Sequence, residues 1–286
     1  MPTLLIRRRF LINIRIMSEA DIPFAVDLSA HEKWGHLPAD LQRLMAFEPN
    51  GCFVACDTHE AVGIITSTSY DDWGFLGNLI VKHEKRKDGI GASLMMHAIE
   101  YLRAKGVKCI ELDGVFPAVP LYRRLGFRDK YLSLRLYRPP SESRGEAISP
   151  LPEAVDAVVA YDRWKTGLNR ERMICHFFEN LPEAVFVTRN DQIAGYAVVK
   201  PRAGNVVAIG PYVADDDQTA ESLLLPITNQ YREKTIAVGV PQINHAAVAL
   251  YRKYDFLYSE PSLRMYLGER RDYEENIFAI MSPEKG

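Results

Sequence analysis

The sequence contains no apolar run of the roughly 20 residues a helix needs to cross a bilayer. It has no C-x-x-C pair, so Cys52, Cys56, Cys109 and Cys175 signal neither a zinc site nor a dithiol redox motif. It carries little net charge, −2 over 286 residues, so no global field draws it to nucleic acid or to an anionic membrane. These absences predict four free thiols in a reducing cytoplasm, with no metal, no nucleic-acid partner and no membrane partner. They leave the oligomeric state unread. What is present is an ordinary globular composition, 47% hydrophobic and 25% charged, with enough apolar material for substantial cores. Arg7, Arg8 and Arg9 have the charge of a transit segment but lack its serines. From Phe10 on, Ile12, Ile14 and Ile16 alternate with more polar residues, which predicts a first strand instead.

Length favours two domains, and the composition shows where they divide. In "RPPSESRGEAISPLPEA" (138–154) proline, serine and glycine cluster and apolar periodicity stops. The expected division is a first domain at 1–138, a linker at 139–152 and a second domain at 153–286. The two sides repeat each other. "CFVACDTHEAVGIITS" (52–67) matches "VFVTRNDQIAGYAVVK" (185–200), and "LYRRLGF" (121–127) matches "LYRKYDF" (250–256). The spacing is about 130 residues, the size of one domain, so the chain reads as two tandem copies of one fold. Each copy interleaves strands with helices, which predicts a mixed α/β sheet. The stretch 269–286 is expected to be a surface extension.

"VKHEKRKDGIGASL" (81–94) places basic side chains and two glycines between the strand "WGFLGNLIV" and an amphipathic helix. One reading is a dinucleotide fingerprint, with Asp113 about 20 residues on as the ribose acid. Its third glycine position is Leu94, however, and "KHEKRK" separates strand from glycine. The other reading accounts for more residues. Backbone N–H groups from Lys87 to Ala92 form one concavity, and Gly89 and Gly91 let a pyrophosphate approach. The helix start adds partial positive charge. Lys82, Lys85, Arg86 and Lys87 are then available to a further phosphate. The second copy has "GPYVADDDQTAESLLL" at this place: Asp215, Asp216 and Asp217 with no G-x-G, a poor site for pyrophosphate.

R-x-x-G-x-G/A between strand and helix resembles the acetyl-coenzyme A signature of the GNAT (Gcn5-related) N-acetyltransferases. "LDGVFPAVPLYRRLGF", "KWG" with "LQRLMAFEPNGCFVA", and "RMYLGE" extend the resemblance over nearly the whole chain, to tandem GNAT proteins of the YitH-like type. The family commonly has glycine where this chain has Lys87. The resemblance implies two GNAT folds, acetyl-CoA as cofactor and transfer of its acetyl group to an amine. With the repeat comparison it places one coenzyme site in the first copy. The cofactor residues it implies are Leu79, Ile80 and Val81 on the strand and Arg86, Lys87, Asp88, Gly89, Ile90, Gly91, Ala92 and Ser93 on the loop and helix start. A main-chain N–H near Ile80 or Val81 is the implied oxyanion donor.

The chemistry needs a proton acceptor for an ammonium group of pKa near about 10, and a proton donor for the departing thiolate. Tyr122 matches the family tyrosine of L-Y-x-x-L-G-F and is the implied general acid. Asp113, at a strand end, is the first candidate base. Glu111 faces the same way along the strand, and Asp71, Asp72 and His36 are further candidates. His31, His59 and His97 read as structural or solvated. Trp34 and Trp73 are candidates for the acceptor pocket, which a small amine, an amino acid, an antibiotic or a protein lysine could enter. Asn244, Tyr251 and Arg264 echo the site in the second copy, where packing explains them. Two other classes stay open: a non-catalytic acyl-CoA sensor and a nicotinamide dinucleotide enzyme.

Overall fold

The computed structural model describes residues 12–141 and 155–286, so Arg7 to Arg9 and the predicted linker from 142 onward lie outside the described residues. The alternation at Ile12–Ile16 forms strand β1. Helices α1 (Ile22–His31) and α2 (Pro38–Phe47) follow, each with proline in its first turn, where the missing N–H is an orphan in any case. Strands β2 (Cys52–Asp57), β3 (Glu60–Tyr70) and β4 (Trp73–Val81) make an antiparallel meander. Helix α3 (Ile90–Ala104) crosses to β5 (Cys109–Gly114), which is parallel to β4, and α4 (Val119–Arg124) leads into β6 (Arg128–Arg138).

The second copy repeats this order. It runs α5 (Val155–Thr166), α6 (Glu171–Asn180), β7 (Val185–Asn190), β8 (Gln192–Arg202), β9 (Val206–Ala214), α7 (Asp217–Gln230), β10 (Thr235–Pro241), α8 (His245–Lys253) and β11 (Leu257–Gly268). A short strand β12 (Ile277–Ala279) closes it. Among the described residues no helix is long and apolar enough to cross a membrane.

All twelve strands belong to one sheet, in the order β1-β2-β3-β4-β5-β11-β6-β10-β9-β8-β7, with β12 against β9. The two copies exchange their last strands. β11 lies between β5 and β6, and β6 lies between β11 and β10. Each last strand thereby completes the other copy, and the sheet runs through the boundary without an edge.

Three cores bear on the site. Under α3, Phe53, Ile65, Leu76 and Leu112 pack together, and α7 and α8 cover Val199, Ile209, Ile236 and Val238. Between the copies, Tyr70, Trp73 and Phe75 meet Tyr161, Phe177 and Tyr196. Trp73 thus belongs to this inter-copy core and not to an acceptor pocket. The stretch after β11 enters the same core: Tyr273, Ile277, Ile280 and Met281 are buried there. This corrects the expected surface extension. Burying each such side chain contributes about 1.5–3 kcal/mol, enough to hold a short segment whose charged flanks hide it in the sequence.

Candidate active site

The parallel strands β4 and β5 pair only from Trp73–Cys109 to Leu76–Leu112 and then diverge. β4 also shifts register against β3 here: Ile80 faces Ile64, but Gly77 faces Thr66. The bulge falls at Asn78–Leu79, with Asn78 at φ +51° and its side-chain Nδ2 donating to Thr66 Oγ1 at 3.1 Å. That is one to three residues before the Ile80 or Val81 expected as oxyanion donor. A bulge re-aims main-chain groups beside a site without any special side chain. Where the strands part, a cavity opens, lined by Trp34, Asn78, Leu79, Asp113 and Tyr122 among others.

Beyond β4 the chain forms a short turn and then α3. Lys87 stands at φ +73° and Gly89, the N-cap of α3, at φ +83°. The left-handed geometry at Lys87 is one that glycine would adopt without strain. Among the described residues, no amide from Lys87 to Ala92 donates to a protein acceptor, and Gly89 has no side chain to cap the helix. A Cβ on Gly91 would lie 3.7 Å from Leu121 and no nearer anything else, so packing does not demand glycine there. A ligand that must touch the main chain does. Main-chain donors at a glycine-rich helix start fit a pyrophosphate. The basic side chains are arranged differently from the expectation. Lys82 pairs with Glu60 at 2.5 Å, Lys85 with Asp57 at 2.6 Å, and Arg86 with Glu32. Arg86 Nε also donates to Val81 O at 3.0 Å, which locks the turn onto β4.

Tyr122 lines the cavity from α4, and burial pushes its phenol above the ordinary value. Its ring occupies the space a Cβ on Gly114 would need, at 2.8 Å. Asp113 also lines the cavity but is tied within the protein. It accepts from Arg264 Nε at 2.7 Å and Arg135 Nη2 at 2.8 Å. Burial favours its protonated form, but the two guanidiniums outweigh that and hold it below the ordinary carboxylate value. Glu111, fully buried, accepts from Lys130 at 2.7 Å, Arg264 at 3.1 Å and Tyr273 at 2.9 Å. Asp72 pairs with Arg271 at 2.5 Å, and Asp71 is exposed. His36 is buried beside Trp34, ring centroids 6.3 Å apart, with Nδ1 and Ser29 Oγ at 2.7 Å. Burial lowers its proton affinity and Arg202 adds to that, against Glu284 and Asp40. His31 bonds its own helix at Asp27 O, His59 is exposed, and His97 packs edge-on against Phe53.

Residues 17–127 match the profile of the acetyltransferase (GNAT) family, and residues 158–279 match a second, the acetyltransferase (GNAT) domain. The chain carries two GNAT domains. No curated protein matches it in sequence. Among solved structures, one from Pyrococcus horikoshii described as an acetyltransferase superimposes with TM-score 0.82 at 23% identity, over 96% of both chains. A tandem GNAT protein from the clavulanic acid biosynthesis pathway gives 0.63 at 15% identity, over 91% of this chain and 100% of that one. A GCN5-related N-acetyltransferase from Sphaerobacter thermophilus gives 0.66 at 14%, over 91% and 96%. At these identities the likeness is one of fold.

The second GNAT domain has the same divergence and fills it. β9 and β10 pair in parallel from Val206–Thr235 to Ile209–Val238 and then part. β12 enters the gap, pairing with Tyr212 and Val213, and Ile280 N donates to Gly239 O at 3.0 Å. Asn244, the echo of the site, ties this segment down: its side chain donates to Ile277 O at 2.9 Å and Glu275 O at 3.1 Å. The helix start is also closed. Asp216 caps α7, accepting from Thr219 N at 2.7 Å, and Asp215 pairs with Lys165 at 2.8 Å. Tyr251 is fully buried with no partner for its hydroxyl among the described residues. The signal for the filled gap was the apolar run "NIFAIM" after β11.

Proposed function

We propose that the chain is an acetyl-CoA-dependent N-acetyltransferase with one working site, in the first GNAT domain. The observation that carries this is the open divergence of β4 and β5, lined by Tyr122, together with a start of α3 whose amides are unspent among the described residues. Acetyl-CoA, when bound, supplies an activated thioester acetyl group. The amides from Lys87 to Ala92, with Ser93 in the first turn of α3, hold its pyrophosphate. Leu79, Ile80 and Val81 offer their open strand edge to the pantetheine arm, in the manner of strand addition. A main-chain N–H at the Asn78–Leu79 bulge would serve as donor to the acetyl oxygen when the coenzyme is bound. Tyr122 keeps its phenolic proton at neutral pH and holds it at the cavity wall for the departing thiolate.

Asp113, ionised and doubly paired, is a weak proton acceptor; its part is to position β5 between the copies. His36 does not itself line the cavity; it is buried next to the cavity-lining Trp34, where burial keeps it neutral, and it receives the amine proton by relay rather than by direct contact. The four cysteines are free, in keeping with a cytoplasmic protein. Calorimetry with acetyl-CoA tests the site, with one equivalent per chain expected. Two equivalents would overturn the single site, and none would overturn the cofactor. Thiol release on adding amines tests the reaction. Tight binding without release under any amine would make the protein an acyl-CoA sensor.

A further inference from the structure

A second cavity lies between the two domains. One wall is the end of β3, with Thr68; the other is the loop from α5 into α6, with Asn169 and Arg170. It shares no lining residue with the cavity between β4 and β5. Thr68 stands on the face of β3 that carries Tyr70, whose ring packs in the inter-copy core.

The polar groups of this cavity are incompletely paired. Arg170, the N-cap of α6, is 1% exposed. Its Nε donates to Asp162 at 2.9 Å and its Nη2 to the same carboxylate, while Nη1 has no partner among the described residues. Thr68, 2% exposed, has no partner for its hydroxyl. Among the described residues six buried side-chain polar atoms lack a partner, and two of the six belong to residues of this one cavity, one from each domain. Buried donors left unpaired are costly, so their meeting in one place points to a ligand that accepts from both. The start of α6 adds to this. It has no side-chain cap, and no described acceptor receives the amides of Glu171 or Arg172.

Charge decides the class of ligand. The nearby carboxylates are already paired: Asp162 with Arg170, Glu48 with Ser69, Tyr101 and Lys105, and Asp71 with Asn169 at 3.3 Å. The unpaired edge of one guanidinium suits a monoanion. A dianion would have only Arg172 for its second charge, and Arg172 is exposed with its Nη2 donating to Ala46 O at 3.0 Å. The planar guanidinium matches a planar carboxylate, and Phe47 and Met173 give apolar surface to a short carbon chain.

We infer that this cavity binds the carboxylate of a small monocarboxylic acid, held by Arg170 Nη1 and the Thr68 hydroxyl, and that the bound acid bridges the two domains. The test is calorimetry on the full chain with acetate, propionate and butyrate at constant ionic strength, against acetamide, butyramide and inorganic phosphate. The carboxylates should bind at one equivalent per chain and raise the melting temperature by about 5 °C at about a hundredfold excess over Kd. The amides should bind at least about tenfold more weakly. Thr68→Val keeps the shape and removes the hydroxyl, so the protein without ligand should be at least as stable and the carboxylate Kd should rise about fivefold. Arg170→Lys keeps a charge beside Asp162 without the second edge and should abolish binding. Saturating acetyl-CoA should leave the carboxylate Kd within about twofold, since the two cavities share no residue. No saturable binding of any carboxylate would overturn the inference. So would amides or phosphate that bind as tightly, a folded Thr68→Val protein with unaltered affinity, or displacement by acetyl-CoA, which would put the acid in the first cavity. If Arg170→Lys does not fold, Thr68→Val still decides.

Discussion

The two GNAT domains differ at three matched places, and the first two differences close in the second domain what the first leaves open. The first leaves the gap between its parallel strands open, while the second threads β12 through it. The first starts its long helix on Gly89 with amides unspent, whereas the second spends them on Asp216. Beyond Leu112 the first has Asp113, but the second has Gly239 beyond Val238. The third difference shows how a repeat loses symmetry. Arg264 on β11 faces Asp113, and Arg135 on β6 faces Gly239. With no acid of its own to meet, Arg135 reaches across to the same Asp113. A duplicated fold can thus keep its packing and still convert one ligand gap into a place for its own chain, because peptide groups satisfy the open strand edge as a ligand would.

The largest expected effect breaks this arginine asymmetry. Arg264 is fully buried between Asp113 and Glu111, so Arg264→Met leaves two carboxylates short of charge and should cost about 3 kcal/mol in urea unfolding. Arg135, partly exposed, leaves Asp113 still paired with Arg264, so Arg135→Met should cost about 1 kcal/mol. Equal losses would contradict the unequal roles.

Next come the matched tyrosines. Tyr122→Phe should lower kcat by about a hundredfold, the scale of general acid catalysis, with acetyl-CoA affinity unchanged. Tyr251→Phe should leave kcat alone and keep or raise the melting temperature, since its hydroxyl is buried without a partner among the described residues. A drop in kcat for Tyr251→Phe would return the second domain to the chemistry.

The helix starts give a smaller contrast. Gly91→Ala has room within the protein, so the melting temperature should hold while the Kd for acetyl-CoA rises about tenfold, or about 1.4 kcal/mol. Asp216→Ala should instead cost about 1 kcal/mol of stability as a lost helix cap, without adding a coenzyme site. A pH profile sharpens the assignment of the base. A base works only when unprotonated, so kcat/KM should fall as pH drops through the His36 value, which lies below the ordinary histidine value of 6.5. His36→Gln should remove that limb. An unmoved limb would exclude His36. The smallest effect is expected for Lys87→Gly, which relieves a left-handed residue and should raise stability by at most about 1 kcal/mol with no loss of coenzyme affinity.

Periodicity placed the first strand, the strand "WGFLGNLIV" and the helix after the glycine loop where the structure has β1, β4 and α3. The glycine loop at the start of α3 was legible because strand, basic turn, paired glycines and helix start are consecutive residues. Asp113 was legible as a position but not as a chemical state, because the guanidiniums that fix its charge come from residues 135 and 264, on strands the two domains exchange. The basic side chains of the loop misled for a similar reason. Their acidic partners, Glu32, Asp57 and Glu60, lie on a neighbouring helix and hairpin.

The sequence by itself determined the repeat, the mixed α/β class and the place of the glycine loop, since these depend on spacing along the chain and on the backbone freedom of single residues. Only the tertiary structure decided that the last strands are exchanged, that the segment after 268 is core, and that this one segment packs against Gly210 at Ile280 and against Gly77 at Glu284. Those outcomes depend on which distant surfaces exclude water together, and spacing along a chain does not encode that.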